Sequence, residues 1–120
     1  MAPQLITKPQ MSALIENGRK SRIAQQRDQL FDPQPVIKLF TPDAQATWLL
    51  SEIDPDDLDL AFGLYDLGLG FPELGLVSLT EIRSVRGKLG LPVERDRYFK
   101  PDKPLSAYAD AARAAGYIAA

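Results

Sequence analysis

The chain predicts an α+β fold: a single domain with an antiparallel meander sheet of three to five strands and flanking helices. Three observations carry this expectation. Short apolar segments between Val36 and Val77 are separated by turn signals roughly ten residues apart, as in a meander. Segments on either side show helical spacing with capping signals instead. The 120 residues, 45% hydrophobic and 25% charged, suit one domain with one modest core. The compact part is expected over 36–120, preceded by an N-terminal helix and basic arm over 1–35.

Thr7 reads as a helix N-cap, because Gln10 three residues on completes a capping box. Ile6 and Met11 can close a hydrophobic staple around it. The helix is expected from Lys8 to Asn17, with Gly18 as its C′ residue. "RKSRIAQQRDQ" (19–29) is basic and nearly free of apolar residues, and reads as a frayed continuation or a mobile arm. "FDPQP" (31–35) punctuates the chain before the sheet begins.

"VIKLF" (36–40) is the first expected strand, and "TPDA" a turn with proline at its second position. "TWLLSEI" (47–53) and "LAFGLYDL" (60–67) are the next two strands, joined by the acidic turn "DPDDLD". "LGLV" (74–77) makes a fourth. Ser78 then caps a helix, with Glu81 closing a second capping box. That helix should bury Leu79, Ile82, Val85 and Leu89 and stop at Gly87 or Gly90. "LPVERDRYF" (91–99) is extended, and 104–116 forms a final helix burying Leu105, Tyr108, Ala109 and Ala112.

Several chemistries are excluded by composition. The chain has no cysteine and no histidine, so a structural zinc site, a Ser-His-Asp triad and a Cys-His pair are impossible. An enzyme would depend on carboxylates, lysine, tyrosine or a hard metal held by oxygen. Asp66, Glu73, Glu94 and Asp96 are the densest acidic candidates for such chemistry. The glycines of "DLGLGFPELGLVSL" (66–79) do not cradle a phosphate. Gly68 and Gly70 lead into Phe71-Pro72-Glu73 rather than a helix N-terminus, and Glu73 places a negative charge where the anion would sit. They read as an elbow in the sheet. "DPDDLD" fails as a calcium loop, since Asp59 and Tyr65 stand where glycine and glutamate are required. No cofactor and no metal is expected. No apolar run is long enough to span a membrane and "MAPQLITKPQ" lacks the zones of a signal peptide, so the expected compartment is the cytoplasm.

Charge is segregated along the chain. Residues 31–80 hold one basic and nine acidic side chains, whereas 81–120 hold eight basic and five acidic. Arg83 and Arg86 lie one helical turn apart, Lys88 follows, and Arg95 and Arg97 share a face of an extended segment beside Tyr98, Phe99 and Lys100. Guanidiniums interleaved with aromatics suit a nucleic-acid strand. Against this, Glu94 and Asp96 sit between the arginines and can pair with them, and the whole chain carries a net charge of −2. Arg83, Arg86, Lys88, Arg95, Arg97 and Lys100 are nonetheless the candidate binding patch, opposed by an acidic face from 54–59.

The runs "VIKLFTPDAQATWLLSEIDP", "FGLYDLGLGFPELGLVSLTEI" and "RGKLGLPVERDRYF" carry a resemblance. With "LITKPQMSALIENGR" and "LSAYA", they make nearly the whole chain similar to a family of small bacterial proteins known only as a domain of unknown function. The resemblance implies a standalone cytoplasmic protein of plasmids and integrative elements, with no catalytic residues to carry over. The first expectation is therefore a non-enzymatic accessory protein of a mobile element that binds a protein or a nucleic acid. The alternatives are a small carboxylate enzyme and a structural partner subunit.

Overall fold

The computed structural model describes residues 4–120. Residues 1–3 of the expected N-terminal segment lie outside the described residues. Five antiparallel strands form one sheet in the order β4-β3-β2-β1-β5. They are β1 (Ile37–Phe40), β2 (Thr47–Asp54), β3 (Asp57–Asp66), β4 (Glu73–Ser78) and β5 (Glu94–Arg95). β1 to β4 form the expected meander. β5 returns to pair with β1, through Leu39 opposite Arg95 and Phe40 opposite Glu94. Three helices complete the α+β fold: α1 (Lys8–Gln26), α2 (Leu79–Ser84) and α3 (Leu105–Ala115).

Strand alternation divides the apolar side chains between two faces. Ile37, Leu39, Trp48, Leu50 and Ile53 pack with Leu14 of α1 and with Leu79 and Ile82 of α2. Leu49 and Leu64 point the other way and pack against α3, whose Leu105, Tyr108, Ala109 and Ala112 are all buried. The two alanines on that stripe let the helix lie close to the strands. α3 stops at Gly116, in the left-handed conformation of a C′ residue. The sheet is thus the middle layer, with α1 and α2 on one side and α3 on the other.

The N-terminal helix begins as its sequence dictates. Thr7 Oγ1 accepts from the Gln10 amide at 3.2 Å, and the Thr7 amide donates to Gln10 Oε1 at 3.0 Å. It ends elsewhere. Gly18 is buried mid-helix rather than placed at C′, and α1 runs eight residues further, so 19–26 is helix and not a mobile arm. A Cβ added at Gly18 would overlap the carbonyl oxygen of Ile53. Glycine stands there for close approach of helix to strand. Asn17 Nδ2 donates to the Ser51 carbonyl at 2.9 Å, beside the bulge between Leu50 and Glu52. The real stop is Asp28, whose φ of 54° places it at C′ of a Schellman turn. Its amide and that of Gln29 donate to the carbonyls of Gln25 and Ala24.

α2 is shorter than its spacing suggests. It ends at Ser84, Val85 turns extended, and Leu89 lies 80% exposed in the loop that follows. Ser78 caps the helix by accepting from the Glu81 amide at 3.2 Å. The reciprocal partner is Asp59 rather than the Glu81 side chain: its carboxylate accepts from Ser78 Oγ, the Thr80 amide and Thr80 Oγ1. The glycine stretch is the β3–β4 connection. Gly68 has a φ of 87°, which an L side chain rarely adopts, and no helix starts there. Among the described residues no helix is long and apolar enough to cross a membrane.

Candidate functional site: a cationic cleft at the sheet edge

A hollow of about 1110 Å³ wraps the β5 edge of the sheet and the β1–β2 turn. β5 is only two residues long, pairing with Leu39 and Phe40 of β1, and the Asp96 amide that follows donates to the Lys38 carbonyl. Arg83, Arg86, Arg95 and Arg97 line this cleft, joined by Lys38. Glu94 and Asp96 line it too. The four arginines line it from the α1 and α2 side of the sheet edge with Glu94 nearby, whereas Lys38 enters from the other face and is paired with Asp96.

Each cation reaches the cleft by a different route. Lys38 stands on β1 between Ile37 and Leu39, so alternation turns it away from the α1 side of the core. Its ammonium lies 3.4 Å from Asp96 Oδ2 and donates to the Ala120 carbonyl at 2.6 Å. Arg95 is structural as well as charged: Nη1 donates to the carbonyls of Gln4 and Leu5, at 2.8 and 3.0 Å, fastening the segment before α1 to β5. Arg86 folds back on the last turn of α2 and donates to the carbonyls of Arg83 and Val85, both at 2.8 Å. A cation at the negative end of a helix is favourable there. Bonds to neutral carbonyls leave both guanidiniums with their full positive charge. Arg83 and Arg97 are exposed and have no ion-pair partner among the described residues.

The remaining two sequence candidates fall outside this cleft. Lys100 lines a smaller adjoining hollow of about 330 Å³, with Lys103, Asp102 and Tyr108. Lys88 is exposed on the 87–91 loop. That loop is held by Asp43, whose Oδ2 accepts from the amides of Leu89 and Leu91 at 2.7 and 3.2 Å. The β1–β2 turn that carries Asp43 is closed by Thr41, whose Oγ1 accepts from the Ala46 amide at 2.9 Å. Sequence reasoning passed over Lys38 and Asp43. Lys38 is the single base in the acidic third of the chain, so only strand alternation could have marked it. Asp43 had no local signal, because its partners lie more than forty residues away.

The expected pairing of Glu94 and Asp96 with their arginine neighbours does not form. Asp96 instead pairs with Lys38, and its Oδ1 accepts from the Tyr98 amide at 2.9 Å. The four acidic candidates for catalysis separate into two pairs. Asp66 accepts from the Gly68 amide, and Glu73 accepts from Tyr65 Oη at 3.1 Å. That bond to Glu73 pushes the Tyr65 phenol above its ordinary value. Glu94 and Asp96 lie at the other side of the sheet, with β1 and β2 between them and β3.

A family model described as "Protein of unknown function (DUF2958)" matches residues 5–119. The chain belongs to this family. The matched span covers the whole sheet, all three helices and nearly all of the cleft lining. No curated protein and no solved structure gives a significant match.

Proposed function

We propose that this DUF2958 protein is a non-enzymatic binding protein whose cleft holds a nucleic-acid strand by its phosphates, as an accessory of a bacterial mobile element. The observation that carries the reading is that Arg83, Arg86, Arg95 and Arg97 line one concavity, drawn from α2, the stretch just after it and the β5 segment. Phosphate recognition needs guanidiniums gathered in a concave field more than it needs a positive net charge overall. The mobile-element setting is supported by family resemblance alone.

The test is a fluorescence titration of labelled single-stranded and duplex DNA, at low and at moderate salt. The wild type should bind at low salt, and affinity should fall by roughly one power of salt per phosphate neutralised. Arg83→Glu/Arg97→Glu should weaken binding at least tenfold and flatten the salt dependence, because both side chains are exposed and neither holds the fold. No binding by the wild type at low salt would end this reading.

A protein partner is the second reading, favoured by the β3–β4 elbow. Leu69 and Phe71 there are 74% and 75% exposed, next to the edge strand β4. Recovery of the same partner from host extract before and after nuclease treatment separates it from the first.

A further inference from the structure

Tyr98 is 90% exposed, in contrast to Phe99 beside it. Phe99 turns inward and packs on the α3 side of the core, with its ring centroid 6.4 Å from that of Tyr108. Asp96 fixes this divergence. Its carboxylate accepts from the Tyr98 amide and its carbonyl from the Phe99 amide, at 2.9 and 3.4 Å. A short turn is thereby locked, with one aromatic anchored and the other standing free.

Tyr98 also stands at a junction. It lines the arginine cleft on one side and the smaller hollow with Lys100 and Lys103 on the other, and Asp96 is shared in the same way. The two concavities therefore meet at this residue, with cations on both sides of it. The carboxylates along the junction are engaged: Asp96 by Lys38 and the Tyr98 amide, Asp102 by Tyr108 Oη at 3.0 Å. Lys103 is drawn over the Tyr108 ring, 4.6 Å from its centroid, which leaves Lys100 as the exposed cation of the second hollow.

We infer that Tyr98 is a stacking platform for an unpaired base, and that the ligand is a single strand whose backbone passes from the arginine cleft over Tyr98 to Lys100. The inference rests on the nucleic-acid reading above and adds strand type and path to it. Two exposed ring faces offer a base the π contact that a duplex, with its bases already stacked, cannot use. Stacking on an aromatic is tolerant of base identity, so sequence preference should be weak.

The test uses the full chain, a labelled oligothymidylate of about twenty nucleotides and a duplex of equal length. Wild type, Tyr98→Ala and Tyr98→Phe are compared at low salt, with thermal melting as a check on folding. Tyr98→Ala should lose roughly five- to a hundredfold in single-strand affinity, Tyr98→Phe should restore it, and duplex binding should not change. The salt slope should be the same in all three, since stacking releases no counterions. Ultraviolet crosslinking of the wild type should attach thymine at Tyr98, mapped by mass spectrometry. If Tyr98→Ala binds the single strand as tightly as wild type, the stacking platform is overturned while the arginine cleft stands. If the wild type binds neither probe at low salt, the nucleic-acid reading itself falls, and the platform with it.

Discussion

The acidic turn at 54–59 and the basic segment at 83–100 look like equivalent charge clusters in the sequence, but the fold uses them differently. Nearly every aspartate of the turn has an internal task. Asp54 and Asp56 hold the Arg22 guanidinium of α1 at 2.9 and 2.8 Å. Asp57 accepts from the Asp59 amide and closes the turn. Asp59 caps α2. In the basic segment only Arg86 and Arg95 are engaged, and both by neutral carbonyls. Arg83 and Arg97 stay exposed in a concave surface. Asp54, which holds Arg22, and Thr47, which lines the cleft, sit at opposite ends of β2, whereas Asp59 reaches the start of α2, the helix that carries Arg83. At about 3.4 Å per residue that places Asp54 roughly 20 Å from the cleft end of the strand. An acid cluster that caps and clamps is architecture. A base cluster left with its charge uncompensated is available to a ligand.

The largest break in this comparison comes from the contact that seats α1 beside the acidic turn. Gly18→Val places a side chain against the Ile53 carbonyl and the Pro55 ring, and forces the helix off β2. The expected loss is about 3 kcal/mol, at the upper end for overpacking a close contact, read as a lower urea midpoint. Unchanged stability would mean that α1 is free of the sheet and that the Arg22 clamp is incidental.

A smaller effect is expected at Asp59, and it carries a pH signature. Hydrogen bonds from Ser78 and then Thr80 hold its carboxyl below the ordinary value of 3.8. Folding therefore favours the charged form. That contribution is complete above 3.8 and is lost as pH falls through the lowered folded value. Asp59→Ala should lower Tm at pH 7, and the gap to wild type should narrow as pH falls below 3.8. A gap that does not narrow as pH falls would show that the carboxylate charge is not what caps α2. Glu52 works in the opposite sense in both proteins and cancels in the difference. Burial raises its carboxyl above 4.5 against the smaller, opposing effect of Ser21, so it favours the fold less as pH rises.

The smallest effect sharpens the contrast most. Arg22→Ala removes two exposed ion pairs and should cost about 0.5 kcal/mol, without changing DNA affinity. Arg83→Glu/Arg97→Glu should show the reverse: much weaker binding with only a small drop in melting temperature, from the charge lost at the end of α2. Were Arg22→Ala to weaken binding as strongly, the two clusters would not be functionally separate.

Local signals proved reliable where the partner lay within one turn of helix or strand. The Thr7–Gln10 box, the buried stripe of α3 and the first four strands are legible because spacing and capping act over three or four residues. The same reasoning stopped α1 at Gly18, since a glycine near apolar spacing signals a C′ residue equally well. Only the carbonyl of Ile53, brought up from β2, distinguishes close packing from a helix end. Likewise the α2 spacing suggested burial for Leu89, but the amides of Leu89 and Leu91 are claimed by Asp43 across the fold.

The cleft shows the same division. Its charges were readable as residue types: Arg83, Arg86, Arg95 and Arg97 stand out in any count of the last third. Their convergence was not, because it depends on β5 crossing back to the β1 edge instead of extending the meander beyond β4. That crossing adds Lys38 from the acidic third and leaves Lys88 outside. Sequence alone determined which elements form and which chemistries are impossible, since backbone preference and side-chain inventory are local properties. Which charges face each other, and which remain free for a ligand, was decided by the tertiary structure, because Coulomb interactions and hydrogen bonds depend on distance in space and not along the chain.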